Sequence, residues 1–501
     1  MSLFLRAKKL DFSSDSHPPI VVLREEEGGI FGIQLGDLVE LVLGGERIVA
    51  RAFFSKRKVN AGQIGLFRDL WKQKGKKVAN GDAVEIREMS RPPSIQAIKK
   101  KLLGKRLSYK EIHSIVRDIV DNRLSRIELT YFVASSFMNR YTDHELYFLT
   151  KAIAETGKQI RFSARIVCDK HSVGGLAGNR TTMVVIPIVA AAGLTIPKTS
   201  SRAITSPSGT ADTMEVLAPV SFQTDRIKRI VQKTKACMVW GGGLDLAPAD
   251  DEIIHVSRPI SMEPYTKMLV SIMAKKVAMG ITHVVIDVPW GPTAKIDTLQ
   301  DARWVASKFR YLGRRFGITM KVVVSHSSEP IGRGMGPALE ARDVLRVLQQ
   351  KEWRPKDLED KAISLAGSIF ELTRLAKKGT GSSLARDILL SGRAWKKMQE
   401  IIKVQGGDAH VDSEDVTVGV RRYRVRAGIP GIVSKMNNHA INDVARVLGA
   451  PYDKKAGLFL NKRLGERCRV GDRLFTLYAS SSNRIKLALE ALQHTHIYSI
   501  Q

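Results

Sequence analysis

Two turns of small residues lie between Cys168 and Glu215, and they constrain this chain more than any other feature. Each is delivered by a strand-like segment and runs into a helix-like one. Ala164-Arg165-Ile166-Val167 reads as a strand leading into Lys170-His171-Ser172-Val173-Gly174-Gly175, and Asn179 is placed to N-cap the apolar run from Met183 to Ala192. Ile196-Pro197-Lys198-Thr199 reads as a second strand, leading into Ser200-Ser201-Arg202 and then Thr205-Ser206-Pro207-Ser208-Gly209-Thr210. Glycine lets backbone N–H groups converge, hydroxyls add donors and a helix start adds positive field, so both turns suit an oxyanion. One such turn commonly does no more than join a strand to a helix. Two together suit a substrate with two anionic parts.

Lys170 beside a hydroxyl and a diglycine, followed by Ser-Ser-Arg-Ala and Gly-Thr-Ala-Asp-Thr-Met-Glu, resembles the thymidine phosphorylase superfamily, which includes the pyrimidine nucleoside phosphorylases and AMP phosphorylase. The resemblance runs from about 92 to 490. It implies a helical lobe and an α/β lobe closing over a cleft in which phosphate attacks the anomeric carbon of a bound nucleoside. It also implies that Lys170, Ser172, Thr182, Ser200 and Thr210 hold the phosphate nucleophile. Gly175, the run Ser201-Arg202-Ala203-Ile204-Thr205-Ser206, Thr210, Ser271, Lys275 and Lys295 are implied as substrate-binding. Ser271 and Lys275 match positions that face the base in pyrimidine phosphorylases, whose arginine partner is replaced here by Ala249. Glu263, in Ser261-Met262-Glu263-Pro264, stands where the AMP phosphorylase branch has an aspartate that protonates the departing base. The extra methylene shifts the carboxyl group, and a glutamate ahead of a helix is also an ordinary helix-start residue. His171 is read as structural.

The N-terminal β domain, the Ser201 to Ser206 run and the loop Gly291-Pro292-Thr293-Ala294-Lys295 look like the AMP phosphorylase branch. Long bacterial thymidine phosphorylases share much of this pattern, so two activities stand at this point: AMP with phosphate giving adenine and ribose 1,5-bisphosphate, or thymidine with phosphate giving thymine and 2-deoxyribose 1-phosphate. Phosphoribosyltransferases use the same fold with magnesium, and they would want an acidic pair near the glycine turns that this sequence does not place there. Neither a cofactor nor a metal is expected; inorganic phosphate is a co-substrate.

The chain has 501 residues, enough for about three domains of 100–200 residues. Short alternating runs punctuated by Gly-Asp and Asn-Gly make 1–88 a small β domain with a role in assembly. Ser90-Arg91-Pro92-Pro93 is a linker. Ser108/Glu111, Ser125/Glu128 and Thr142/Glu145 are capping boxes that start the helices of a bundle lobe over 92–163, joined by a helical segment over 225–276. Continuous apolar runs at His283 to Val288 and Lys321 to Val324 predict strands buried on both faces in a mostly parallel α/β domain over 164–345. A helical connection over 346–424 and a β-rich domain over 425–501 complete a multi-domain α/β architecture. Gly241-Gly242-Gly243 reads as a hinge or a tight crossing.

The formal charge of +30 admits a nucleic-acid-binding class, but the cations are dispersed and no aromatic-interleaved motif accompanies them, so nucleic acid is an unlikely partner. The expected partners are a nucleoside or nucleotide, phosphate and further copies of the chain, as a homodimer or larger homo-oligomer. The three cysteines are spaced for neither disulfides nor zinc. No apolar run reaches membrane length, which predicts a cytoplasmic protein.

Overall fold

Alternation of apolar and polar residues over the first 88 positions closes a six-stranded barrel. Its strands are β1 (Ser2–Lys9), β2 (Ile20–Leu23), β3 (Leu38–Leu43), β4 (Glu46–Phe54), β5 (Gln63–Leu66) and β6 (Ala83–Glu88), in the order β1-β5-β2-β4-β3-β6. In β3 every second residue, Val39, Leu41 and Leu43, is buried, as the two-residue side-chain period of a strand requires. The short helices α1 (Glu25–Ile30) and α2 (Arg68–Trp71) belong to the same region. The computed structural model describes residues 2–14, 18–71, 78–89, 92–138, 141–203, 206–257 and 264–501.

The barrel shares one compact unit, Met1–Gly157 with Ala247–Ser271, with the helices α3 (Ser94–Leu102), α4 (Tyr109–Val120), α5 (Arg126–Met138) and α6 (Asp143–Thr156). All three capping boxes form: Ser108 with Glu111, Ser125 with Glu128 and Thr142 with Glu145 each exchange hydrogen bonds in both directions. Glu145 also accepts from the buried Lys101 ammonium at 2.9 Å and from the Leu107 N–H at 3.0 Å, so one carboxylate ties three helix ends together. Helix α10 (Pro248–Ser257) and the first half of α11 (Tyr265–Ala278) complete the unit.

The second unit, Lys158–Leu246 with Ile272–Gln501, holds the α/β and C-terminal domains. Strands β7 (Cys168–Ser172), β10 (His283–Trp290) and β11 (Thr319–His326) form a parallel sheet in the order β11-β10-β7. Strands β8 (Ile196–Ser200) and β9 (Ala236–Trp240) pair in parallel, and a parallel bridge from Val167 to Thr195 joins the two pieces. Helices α7 (Thr181–Ala191), α8 (Thr210–Met214), α9 (Thr224–Thr234) and α12 (Leu299–Arg315) fill the crossovers.

Four expectations are corrected. The first strand begins at Cys168, not Ala164, so Lys170 to Ser172 are strand residues whose side chains are set by the sheet. Arg180, not Asn179, holds the N-cap position of α7 and makes no side-chain capping bond; the Asn179 carboxamide oxygen accepts from the Thr181 hydroxyl instead. The 225–276 segment is not continuously helical, because the β-branched and apolar run at Ala236–Trp240 pairs with β8. Strand β11 is a half-buried sheet edge, whereas β10 at the centre is buried along its length. At the triple glycine the chain turns tightly on itself: a Cβ on Gly242 would lie 2.7 Å from the Trp240 ring.

Strand β12 (Gly334–Met335) leads into helices α13 (Pro337–Leu348), α14 (Lys356–Leu372), α15 (Gly381–Leu390) and α16 (Arg393–Gln405), and α13 to α16 pack with α7 in one apolar core. The C-terminal region adds β13 (Arg421–Arg426), β14 (Gly431–Met436), α17 (Asn438–Leu448), β15 (Gly457–Leu460), β16 (Arg467–Cys468), β17 (Arg473–Ala479), α18 (Ser482–His494) and β18 (Tyr498–Ile500). Its sheets run β12-β15-β17-β13 and β16-β14-β18. The three cysteines are buried free thiols. Among the described residues no helix is long and apolar enough to cross a membrane.

Candidate active site

The first turn is organised by one buried ammonium. Lys170 Nζ donates to Ser172 Oγ at 2.5 Å, Thr181 Oγ1 at 2.6 Å and Thr182 Oγ1 at 3.2 Å. An ammonium can only donate, so each hydroxyl accepts from it and keeps its own proton for another partner. Ser172 gives its proton to Asp287 Oδ2 at 2.7 Å and Thr181 gives its to Asn179 Oδ1 at 2.8 Å. The Thr182 proton meets no acceptor among the described residues. Burial lowers Lys170 to about 7; nearby Asp287 opposes this, and Lys361, Lys198 and Arg180 add to it.

Asp287 stands opposite Ser172 in the register of β10 and β7. Its carboxylate is also 3.1 Å from Lys361 Nζ on α14. Burial alone would raise this carboxyl, but Lys361 and Lys170 more than offset that and hold it below the usual range. Next along β7, Asp169 lies between Lys198, at 3.2 Å, and Lys276, and Lys198 also donates to the Lys170 carbonyl at 2.8 Å. Burial, reinforced by Lys276, Lys198, Lys170 and Lys275, pushes His171 well below its ordinary value.

The second turn closes on a carboxylate of its own. Strand β8 ends at Ser200, whose Oγ is buried and has no hydrogen-bond partner among the described residues. Beyond it, the chain doubles back so tightly that a Cβ on Gly209 would lie 2.6 Å from the Ser201 carbonyl. The buried Asp212 accepts from the Ala203 N–H at 2.7 Å and the Gly209 N–H at 2.9 Å, so two of the converging donors are already engaged. Arg202 is held by Glu215 through two contacts of 2.5 and 2.7 Å, touches Asp212 at 3.3 Å and lies over the Trp240 ring. Lys454 joins the same pair of carboxylates. Ser206 donates to the Ser208 carbonyl.

The remaining predicted residues lie in both compact units. Gly175 has φ of +99°, and a Cβ on it would lie 2.7 Å from the Lys295 backbone nitrogen, so the first turn and the loop after β10 meet there. Asn438, at the start of α17, donates to Thr293 in that loop at 2.9 Å and accepts from the Ala177 N–H at 3.4 Å. Ser271 donates to Asp250 Oδ2 at 2.6 Å, and Ala249, next to Asp250 in sequence, is buried. Lys275 follows one turn later on α11. Ile204, Thr205 and Glu263 lie outside the described residues.

Sequence reasoning did not select Asp287 as part of this network, nor Lys361, Arg180 or Glu340. Asp287 is signalled by being the one carboxylate in an apolar strand run, and Arg180 by being one of only two cations, with Lys198, between the two glycine turns. Lys361 and Glu340 lie on helices distant in sequence and carry no local signal.

Comparison with known proteins bears on the whole chain. The family models for the glycosyl transferase family helical bundle domain and a/b domain match residues 95–157 and 164–395, and that for the pyrimidine nucleoside phosphorylase C-terminal domain matches 432–499. The AMP phosphorylase of Thermococcus kodakarensis is 43% identical over 481 residues, covering 96% of this chain and 95% of that one. The AMP phosphorylase of Thermofilum pendens is 42% identical over 489 residues, covering 98% and 93%. Among solved structures, the anthranilate phosphoribosyltransferase of Thermus thermophilus superposes with a TM-score of 0.53 at 20% identity, over 62% of this chain and 99% of that one, a likeness of fold alone. Identity at this level, sustained from the N-terminal barrel to the C-terminal sheet, places the chain in the AMP phosphorylase family.

Proposed function

We propose that this chain is a nucleotide phosphorylase that takes AMP and inorganic phosphate to adenine and ribose 1,5-bisphosphate. The observation that carries the reading is the set of hydroxyls around the two turns. Thr182 accepts from Lys170, Thr210 accepts from Arg180, and Ser200 has no partner among the described residues, so three buried or half-buried hydroxyls keep protons to donate. Several O–H donors beside a buried ammonium suit the oxygens of a phosphate.

In the reaction a phosphate oxygen forms a bond to C1′ as the C1′–N9 bond breaks, and the bonding pair leaves with adenine, which takes up a proton. The sugar gains positive charge in the transition state, so a phosphate held close by Lys170 stabilises what develops. We assign Glu263 as the proton donor by resemblance to the family aspartate. The backbone around Ser201 and Ala203, with Gly175 and Lys295, is assigned to the nucleotide, and Ser271 and Lys275 to the base. The N-terminal barrel, which holds no reactive constellation, is assigned to assembly of a homodimer or larger homo-oligomer.

Phosphate-dependent base release from AMP, CMP, UMP, uridine and thymidine tests the reading. AMP should be turned over at least ~10-fold more efficiently than thymidine, and Lys295→Ala should remove most of that preference by deleting one charge-assisted contact. Better turnover of thymidine would replace this assignment with the thymidine phosphorylase alternative.

A further inference from the structure

Arg180 is the group that joins the two turns, and neither the sequence pattern nor the proposed chemistry gives it a task. Its side chain is 9% exposed; its two terminal nitrogens donate hydrogen bonds, and Nε makes an ion pair without a hydrogen bond of its own. One terminal nitrogen donates to Thr210 Oγ1 at 3.0 Å and the other to the Ser208 carbonyl at 2.8 Å, while Nε pairs with Glu340. Glu340 is buried on α13; it accepts from Thr213 Oγ1 at 3.2 Å and from the Gly336 N–H at 3.1 Å. The residue that follows Arg180 is Thr181, which accepts from Lys170.

A threonine hydroxyl has one proton and two lone pairs. Because Arg180 fills a lone pair of Thr210, that hydroxyl is fixed as a donor toward whatever anion lies beyond it. A hydroxyl free to rotate would lose part of its value as a donor, since ordering it on binding costs entropy. The same arginine sets the distance between the Lys170 hydroxyl cluster and the Ser208-Gly209-Thr210 corner. We propose that Arg180, fixed from behind by Glu340, is a positioning residue of the phosphate subsite that holds Thr210 as a hydrogen-bond donor and keeps the two turns in register. This rests on the phosphorolytic reading above.

A double-mutant cycle on the full-length enzyme tests it. Arg180→Met and Thr210→Val should each raise the KM for phosphate ~10–30-fold and the KM for AMP less than about threefold, as expected for loss of one directed, charge-assisted contact. The double variant should be no more than about twofold worse than the poorer single variant, because the hydroxyl works through the arginine. Arg180→Lys should recover part of the loss. Multiplying effects, or equal rises in both KM values, would overturn the proposal. Should Arg180→Met not fold, Glu340→Gln carries the comparison: a raised phosphate KM with AMP unchanged supports the assignment, and wild-type constants sink it. The rise in thermal midpoint on adding inorganic phosphate supplies a readout independent of turnover. A wild-type chain that shows this rise yet releases no base from any nucleotide refutes the phosphorolytic reading alone. In that case retention of the full rise by Arg180→Met would refute the role of Arg180, and its loss would support it.

Discussion

Both turns follow a parallel strand, carry glycine and hydroxyls and stand beside a cation, yet they handle that cation in opposite ways. Lys170 is buried among hydroxyls that accept from it, with the Asp287 carboxylate one hydroxyl away. Arg202 is paired directly with Glu215 and Asp212, and Asp212 also takes the backbone donors that the glycine turn brings together. The first turn therefore keeps positive field available for an incoming anion. The second has neutralised its own and offers hydroxyls and shape. Similar residue types give different electrostatics because a carboxylate in direct contact takes up a cation's field, whereas a hydroxyl passes it on.

The largest effect should come from removing the cation of the first turn. Lys170→Ala deletes a buried charge-assisted donor and leaves three hydroxyls to rearrange, so the KM for phosphate should rise ~10–100-fold while that for AMP changes much less. Equal changes in both constants would show that the two turns are not specialised.

The same lysine predicts a pH profile. Its folded value of about 7 lies below the ordinary 10.5, so above about 7 the unliganded enzyme must take up a proton to present an ammonium to phosphate. The KM for phosphate should then climb toward ~10-fold per pH unit. For stability the sign is opposite: the unfolded chain holds the extra proton between about 7 and 10.5, so the destabilisation from burying this group is greatest below 7 and fades as pH rises. Steady-state kinetics at pH 6.5, 7.5 and 8.5 would read the effect, and a flat phosphate constant would contradict it.

How much of this was legible in the sequence follows from where each partner lies. Lys170 and Ser172 sit in one short run that reads as an anion turn, and the family resemblance adds Thr182; in the fold the Lys170 ammonium donates to both hydroxyls. The capping boxes are equally local and form as expected. What sequence could not supply is which charges are already matched. That Arg202 is held by Glu215, or that Arg180 is backed by Glu340, depends on side-chain direction and on helices packed from far along the chain. The missed strand β9 has the same cause: a short apolar segment between helices is decided by its neighbour β8, not by its own pattern.

A smaller effect is expected at the carboxylate that closes the second turn. Asp212→Asn keeps the shape but leaves one oxygen to serve four donors and turns an N–H toward another donor. The KM for AMP should rise about three- to tenfold, with a lower thermal midpoint and a phosphate constant close to wild type. An unchanged midpoint would mean that the turn holds its form without this internal anion.

The smallest effect should follow loss of Arg202, although the resemblance implies it as a substrate-binding residue. Its charge is already engaged by Glu215, so Arg202→Ala should leave the KM for both phosphate and AMP within about threefold of wild type. The signature should instead appear in acid. The hydrogen bond from Arg202 lowers Glu215 to about 2, against opposing burial and with help from Lys454. A lowered carboxyl contributes stability above its ordinary 4.5 that is lost as pH falls from there toward 2. Without Arg202, Glu215 titrates closer to 4.5, and the fall in thermal midpoint across that window should become shallower. A tenfold or greater rise in the KM for AMP, with the acid limb unchanged, would show that the guanidinium leaves Glu215 to grip the nucleotide, and the second turn would then present its cation to the substrate as the first one does.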